Sequence, residues 1–186
     1  SIMRGYVKQI DSLNTLNIKL TSVLDETNTK LTETTTERDT YKKDAEQKTE
    51  QLKKGAKLQA YGFKSEALRM KLNNTTEPTT KAKNAIQMRS SFTIGENQIA
   101  SSGRKAIYLQ IIAPSGEILQ SKANYVMDTE NGQQAFSDKK DIDYNNQAID
   151  LTIYYDLKGQ EVGKGNFKVR VYCEGQLIGT DSFTLK

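Results

Sequence analysis

The pattern that dominates the chain is a heptad. Read in sevens from Met3, one column holds Met3, Ile10, Asn17, Leu24, Leu31, Arg38, Ala45 and Leu52. A second column, three residues on, holds Tyr6, Leu13, Leu20, Thr27, Thr34, Tyr41 and Lys48. Ten of these fifteen positions are apolar or aromatic, and the three-and-four spacing never slips. An apolar seam of period 3.5 on a helix of period 3.6 stays buried only if helices supercoil around one another. The spacing therefore predicts a coiled-coil oligomerisation stalk over residues 1–55, about 75 Å long over Met3–Lys54 at about 1.5 Å per residue. Gly55 reads as its C-terminal stop.

The seam residues expected to hold the oligomer are Ile10, Leu13, Asn17, Leu20, Leu24, Leu31, Tyr41 and Leu52. Asn17 is best satisfied by its mate on a second parallel helix, which favours a parallel homodimer. Val7, Leu16 and Val23 widen the apolar face and keep a trimer as the next expectation. From Thr27 to Arg38 the seam passes through Thr27, Leu31, Thr34 and Arg38, and threonine is a mediocre helix former. That stretch should be the soft part of the rod.

After Gly55 the period changes from 3.5 to 2. Residues 60–72 alternate and suit a strand, with a continuing helix as the competing reading. Asn73 to Thr80 is polar, carries a proline and reads as a loop. Strands follow at 84–95, 105–113, 118–121, 147–155, from Phe167 to Cys173 and from Leu177 to Leu185. Tyr125–Asp128 and Gln133–Phe136 flank Asn131-Gly132, a strong hairpin signal. Seven or eight short strands with no βαβ pattern predict an antiparallel immunoglobulin-like β-sandwich over 56–186. The fold class expected is thus α plus all-β: a long coiled-coil helix followed by that sandwich.

Composition narrows the chemistry. In 186 residues there is no histidine or tryptophan, and Cys173 is the single cysteine. An imidazole base, a Ser-His-Asp triad, an intramolecular disulfide and a multi-cysteine metal cluster are all excluded. The net charge of +4 is unevenly placed. Residues 1–83 hold sixteen Lys/Arg against eleven Asp/Glu, and residues 84–186 eleven against twelve. The densest basic stretch, Lys42 to Lys57, is interleaved with Asp44, Glu46 and Glu50, as on a solvated helix face. Its alternative use would be binding nucleic acid, which is not expected here. No run of eighteen apolar residues spans a membrane. The heptads are in register almost from Ser1, so a native N-terminus upstream, with a membrane anchor there, is in keeping with the pattern.

Two groups of residues are candidates for more than structure. Asp138, Asp141 and Asp143, on an acidic loop over 138–143 near Asp128 and Glu130, could supply oxygens to calcium. Lys139 and Lys140 interrupt them and the loop lacks a twelve-residue calcium pattern, so a solvated loop is the expectation. No metal or cofactor is expected, and a small sandwich leaves no spare segment for a catalytic cleft. Tyr108 and Tyr154 fall opposite the core series of their strands. Exposed aromatics on a sheet face are common contact points for protein or glycan partners, so these two are the candidate partner-binding residues.

The C-terminal stretch Gly165–Tyr172, followed by Gly175-Gln176-Leu177-Ile178-Gly179 and Ser182–Leu185, resembles the closing hairpin of immunoglobulin-like domains in bacterial surface and periplasmic proteins. With Phe92–Asn97 and Ile111–Gly116, the whole chain is similar to uncharacterised Bacteroidota envelope-type proteins, some labelled chromosome-partitioning proteins on their coiled coils. The resemblance implies the two-part architecture and a cell-envelope or periplasmic location, with the cytoplasm as alternative. It supplies no catalytic motif. The expected function is a non-enzymatic stalk presenting paired heads to a protein or glycan. The alternatives are a nucleic-acid-associated protein using Lys42–Lys57, and a carbohydrate-binding module.

Overall fold

The structure is a computed structural model and describes residues 2–186. Residues up to Leu52 form one compact unit, and Lys53–Lys186 form a second. The first is part of a single helix, α1 (Ile2–Ala56), unbroken over 55 residues. No residue along it is buried within the chain. Lys53 and Lys54 in its last turn complement the negative end of the helix dipole. No helix among the described residues is long and apolar enough to cross a membrane.

The second unit holds ten strands among the described residues. They are β1 (Ala60–Met70), β2 (Thr76–Thr79), β3 (Gln87–Ile94), β4 (Gly103–Ile112) and β5 (Val126–Thr129), then β6 (Gly132–Ala135), β7 (Asp138–Tyr144), β8 (Ile149–Asp156), β9 (Gly165–Cys173) and β10 (Gln176–Leu185). One sheet has the order β2-β1-β3-β8 and a second β10-β9-β4-β7, each antiparallel throughout. Their inward-facing series share one core. Met88, Phe92, Ile94, Leu151, Ile153 and Tyr155 come from the first sheet, and Ile107, Leu109, Ile111, Phe167, Val169 and Val171 from the second. Strict alternation along β3 and β8 produces this arrangement, because a period of two sends every second side chain to the same face. The protein is therefore α+β, one long helix followed by antiparallel sheets.

Residues 60–70 form a strand, as the alternation over 60–72 leads one to expect, and not a continuing helix. Other expectations need correcting. Thr76–Thr79, read as loop, is the short edge strand β2, where Pro78 is tolerated because one side of an edge strand makes no ladder bonds. Residues 118–121 form no strand, only an isolated bridge between Ile112 and Ile118. The acidic stretch 138–143 is no loop: it is the edge strand β7, paired with β4 from Tyr144↔Gly103 to Asp138↔Leu109. Asp138 and Asp141 are an odd number of residues apart, so the pleat turns them to opposite faces and they cannot surround one ion. The β5–β6 hairpin forms at Asn131-Gly132 as expected, with Gly132 at φ +96, but joins neither main sheet.

Candidate partner-binding surfaces

On α1 the seam is intact. Ile10, Leu13, Leu20, Leu24, Leu31, Tyr41 and Leu52 are all solvent-exposed large apolar or aromatic side chains, joined by Met3, Tyr6, Val7, Leu16 and Val23. Asn17 is exposed among them. The stripe is densest from Met3 to Leu31, where the helix leaves a long apolar edge exposed. Several threonines of the softer half bond back to the helix's own carbonyls. The Thr27 hydroxyl donates to the Val23 carbonyl at 2.8 Å, Thr32 to Asn28 at 2.9 Å and Thr36 to Thr32 at 2.8 Å. Thr27, at a seam position, can therefore face apolar neighbours without an unpaired donor, although such back-bonding slightly weakens the helix.

In the β unit the two candidate tyrosines lie on different sheets. Tyr154 sits on the outer face of β8, 45 % exposed. The register sets Glu66, Arg89 and Tyr154 side by side across β1, β3 and β8. Glu66 ion-pairs with Arg89, and this carboxylate, followed by the Tyr154 hydroxyl, raises the guanidinium's already high pKa. Neighbouring rungs are polar too: Ser91 and Thr152 hydroxyls lie 3.0 Å apart, and the Thr93 hydroxyl donates to Asp150 at 2.6 Å. The result is a polar outer face that bears two exposed aromatic rings, Tyr154 and, opposite Thr93, Tyr61.

Tyr108 is on the outer face of β4 in the other sheet, half-buried. Its ring meets Phe136 edge-on at 4.9 Å, and Phe136 stacks on Tyr125 at 4.7 Å. With Met127 and Tyr172 these make a second, smaller cluster beneath the β5–β6 hairpin. The hairpin tip is tied down as well: the Glu130 N–H donates to the Gly175 carbonyl at 3.0 Å, and Gln176 to the Glu130 carboxylate at 2.7 Å. Tyr108 thus anchors a strap, and the structure does not bring it together with Tyr154. The alternation rule placed it correctly on the outer face; that a later hairpin would cover this face has no local signal.

Cys173 and Lys105 both lie in the interior of the β unit. Cys173 is in the main core, and burial, then the nearby Glu174 carboxylate, pushes its thiol up to about 11. Lys105 carries an ammonium into the interior, where it donates to the Glu174 carboxylate at 2.6 Å and the Ser101 hydroxyl at 3.2 Å. Asp141, read as a candidate ligand, is 2.9 Å from the Arg104 guanidinium. No group of three or more potential metal ligands exists among the described residues. At the start of the β unit, the loop after β3 is organised by Asn97. Its amide N–H donates to the Gly55 and Lys57 carbonyls at 2.7 and 3.2 Å, while its Oδ1 accepts from the Ile99 and Ala100 N–H groups. Sequence reading missed this residue, since nothing in Gly95-Glu96-Asn97 signals a partner forty residues away.

Residues 61–186 match the family described as Domain of unknown function (DUF8428), and residues 1–58 match one described as Coiled-coil region of unknown function (DUF8429). No curated protein matches the chain. Among solved structures, similarity extends to the Pseudomonas fluorescens alkylpurine DNA glycosylase AlkC bound to DNA containing an abasic site analog. That match has 13% identity and a TM-score of 0.39, over 70% of this chain and 31% of the glycosylase. The β-glucosidase from Kluyveromyces marxianus is similar at 11% identity and the same TM-score, over 70% of this chain and 14% of the enzyme. The chain spans less than a third of either, and likeness at this level says nothing of shared activity.

Proposed function

The chain belongs to the DUF8428 family, and from that premise we propose that it is a non-enzymatic structural or interaction protein, a coiled-coil stalk that pairs and presents β-sandwich heads. The observation that carries this reading is the exposed seam from Ile10 to Leu52. Seven large apolar or aromatic side chains at seam spacing, each worth about 1.5–3 kcal/mol when removed from water, exceed the cost of joining two helices. Asn17 among them favours a parallel dimer. Analytical ultracentrifugation tests this: the chain should sediment as a dimer, and Leu13→Asp with Leu20→Asp should return it to a monomer. A monomeric parent chain sinks the proposal.

The finer fold reading is immunoglobulin-like. Omitting β2 and the β5–β6 hairpin, the ladders run β1-β3-β8 in one sheet and β10-β9-β4-β7 in the other. Taking β1, β3, β4, β7, β8, β9 and β10 as A, B, C, C′, E, F and G gives A-B-E facing G-F-C-C′, an immunoglobulin-type arrangement. Within the head we assign partner contact to the Tyr154 platform, whose flat polar surface suits a protein or glycan. The cell envelope is the compartment proposed, on the resemblance of its closing hairpin to surface and periplasmic domains. A glycan array and a pull-down with Tyr154→Ser as the matched control test the platform; undiminished binding by the variant would overturn it. Buried Cys173 and ion-paired Lys105 support a non-enzymatic head.

A further inference from the structure

A second exposed apolar feature lies at the end of the β unit remote from Lys57. Strand β1 pairs with β3 only as far as Leu68↔Gln87, while its hairpin with β2 continues through Arg69↔Glu77 and Met70↔Thr76. The tip therefore projects past the main sheet by about 10 Å, at about 3.3 Å per residue. Its apex is Leu72, fully exposed, with Met70 half-exposed beside it. This exposure is imposed by the backbone. The Lys71 N–H donates to the Thr75 carbonyl at 2.7 Å and the Asn74 N–H to the Lys71 carbonyl at 3.1 Å. Asn73 Oδ1 accepts from the Thr75 hydroxyl at 2.6 Å, and Asn74 sits at φ +63. Leu72 cannot fold back onto the sheet without breaking that turn.

The charge around the tip is positive. Arg69 and Lys71 share the single carboxylate of Glu77, which leaves one cation in excess. At the base of the hairpin the Lys186 N–H donates to the Thr80 carbonyl, the Ala82 N–H to the Lys186 carbonyl, and the Leu157 N–H to the Ile86 carbonyl. These bonds gather the exposed Lys81, Lys83, Lys158 and Lys186 at the same end, opposed there by Asp156 and Glu161. An apolar apex ahead of a basic shoulder meets the two requirements of a bilayer surface, a shallow acyl boundary beneath anionic headgroups. Two side chains are too few for a stable protein interface, which buries about 1,200 Å² or more. A second copy would bring the same positive charge to the contact.

We propose that this end of the β unit contacts an anionic membrane surface, with Leu72 and Met70 entering the headgroup boundary and the lysines pairing with lipid phosphates. The inference is independent of the stalk. It is tested by sedimenting the full chain with vesicles of phosphatidylglycerol and phosphatidylcholine in equal parts, and with vesicles of phosphatidylcholine alone. The chain should pellet with the first and not the second. Leu72→Ser with Met70→Ser, changes at a fully exposed and a half-exposed side chain made with the melting temperature followed alongside, should lower the bound fraction about tenfold or more. Lys81→Gln with Lys83→Gln should weaken binding and flatten its salt dependence. Absence of binding to the anionic vesicles at low salt overturns the proposal. So does binding that survives the two serine changes, which would mark charge attraction open to any polyanion, nucleic acid included.

Discussion

Lys105 Nζ lies 2.6 Å from Glu174 Oε1, joining the inward face of β4 to the turn between β9 and β10. The lysine side chain is 3 % exposed and the glutamate 62 %, so the pair neutralises a buried charge from the solvent side. Glu174 holds φ +51 at a turn position where asparagine or glycine is the usual choice. Its carboxylate explains the choice: no uncharged turn residue would balance Lys105. Glu174→Gln should therefore destabilise the β unit by about 1–3 kcal/mol, below the full cost of an orphaned buried charge because the glutamate is largely solvated. Lys105→Met in the Glu174→Gln background should recover most of that loss. Urea unfolding of the four chains of this cycle measures it, and additive losses would deny the pairing.

The Cys173 thiol, raised to about 11, makes stability fall in alkali. A raised folded pKa favours the protonated thiol. Its contribution is full below the unfolded value of about 8.5 and is lost as pH climbs from there towards about 11. Tyr144 and Tyr155, raised mainly by burial, act in the same direction at higher pH. Unfolding free energy followed from pH 8 to 11 should decline, and Cys173→Ala should flatten the lower part of the decline. In the native chain a thiol reagent at neutral pH should label Cys173 only after denaturant is added.

Gly179 marks a close approach within the β unit. A Cβ built there would lie 2.5 Å from the Phe63 ring and 3.0 Å from the Ala60 Cβ. It sits where β10 shifts register against β9, between Leu177 and Gly179. Gly179→Ala should cost about 1–3 kcal/mol by overpacking. Phe63→Leu in the same chain should restore part of it, whereas Gly5→Ala, with open space around it, should be harmless. Thermal melts of the three variants check the ranking.

On the helix, Asn17→Leu replaces a polar seam position with an apolar one. It should raise the oligomer's stability by about 2 kcal/mol per chain while loosening the choice between two and three strands. Sedimentation equilibrium and thermal melting together read both effects. A variant that merely melts earlier as a clean dimer would show that the heptad register is misassigned.

How much of this was legible beforehand depends on the range of each interaction. The heptad and the strands β3, β8 and β9 announce themselves because their periodicity is written in adjacent residues. The Asn131-Gly132 hairpin is equally local. Strand β7 hid because, at an edge, only Ile142 and Tyr144 need be apolar, so its Asp and Lys residues look like a loop. Among the candidate site residues, alternation alone put Tyr108 and Tyr154 on outer faces. It could not say that they belong to different sheets, or that Phe136 would cover one of them.

The amino-acid sequence by itself determined the helix with its apolar seam, the change of period after Gly55 and most strand positions, since backbone periodicity responds to neighbours within a turn or two. Tertiary structure alone decided the sheet order, the strap over Tyr108, the pairing of Lys105 with Glu174 and the projection of Leu72. Those depend on which surfaces meet across tens of residues, where burial and charge compensation, rather than local propensity, choose the partner.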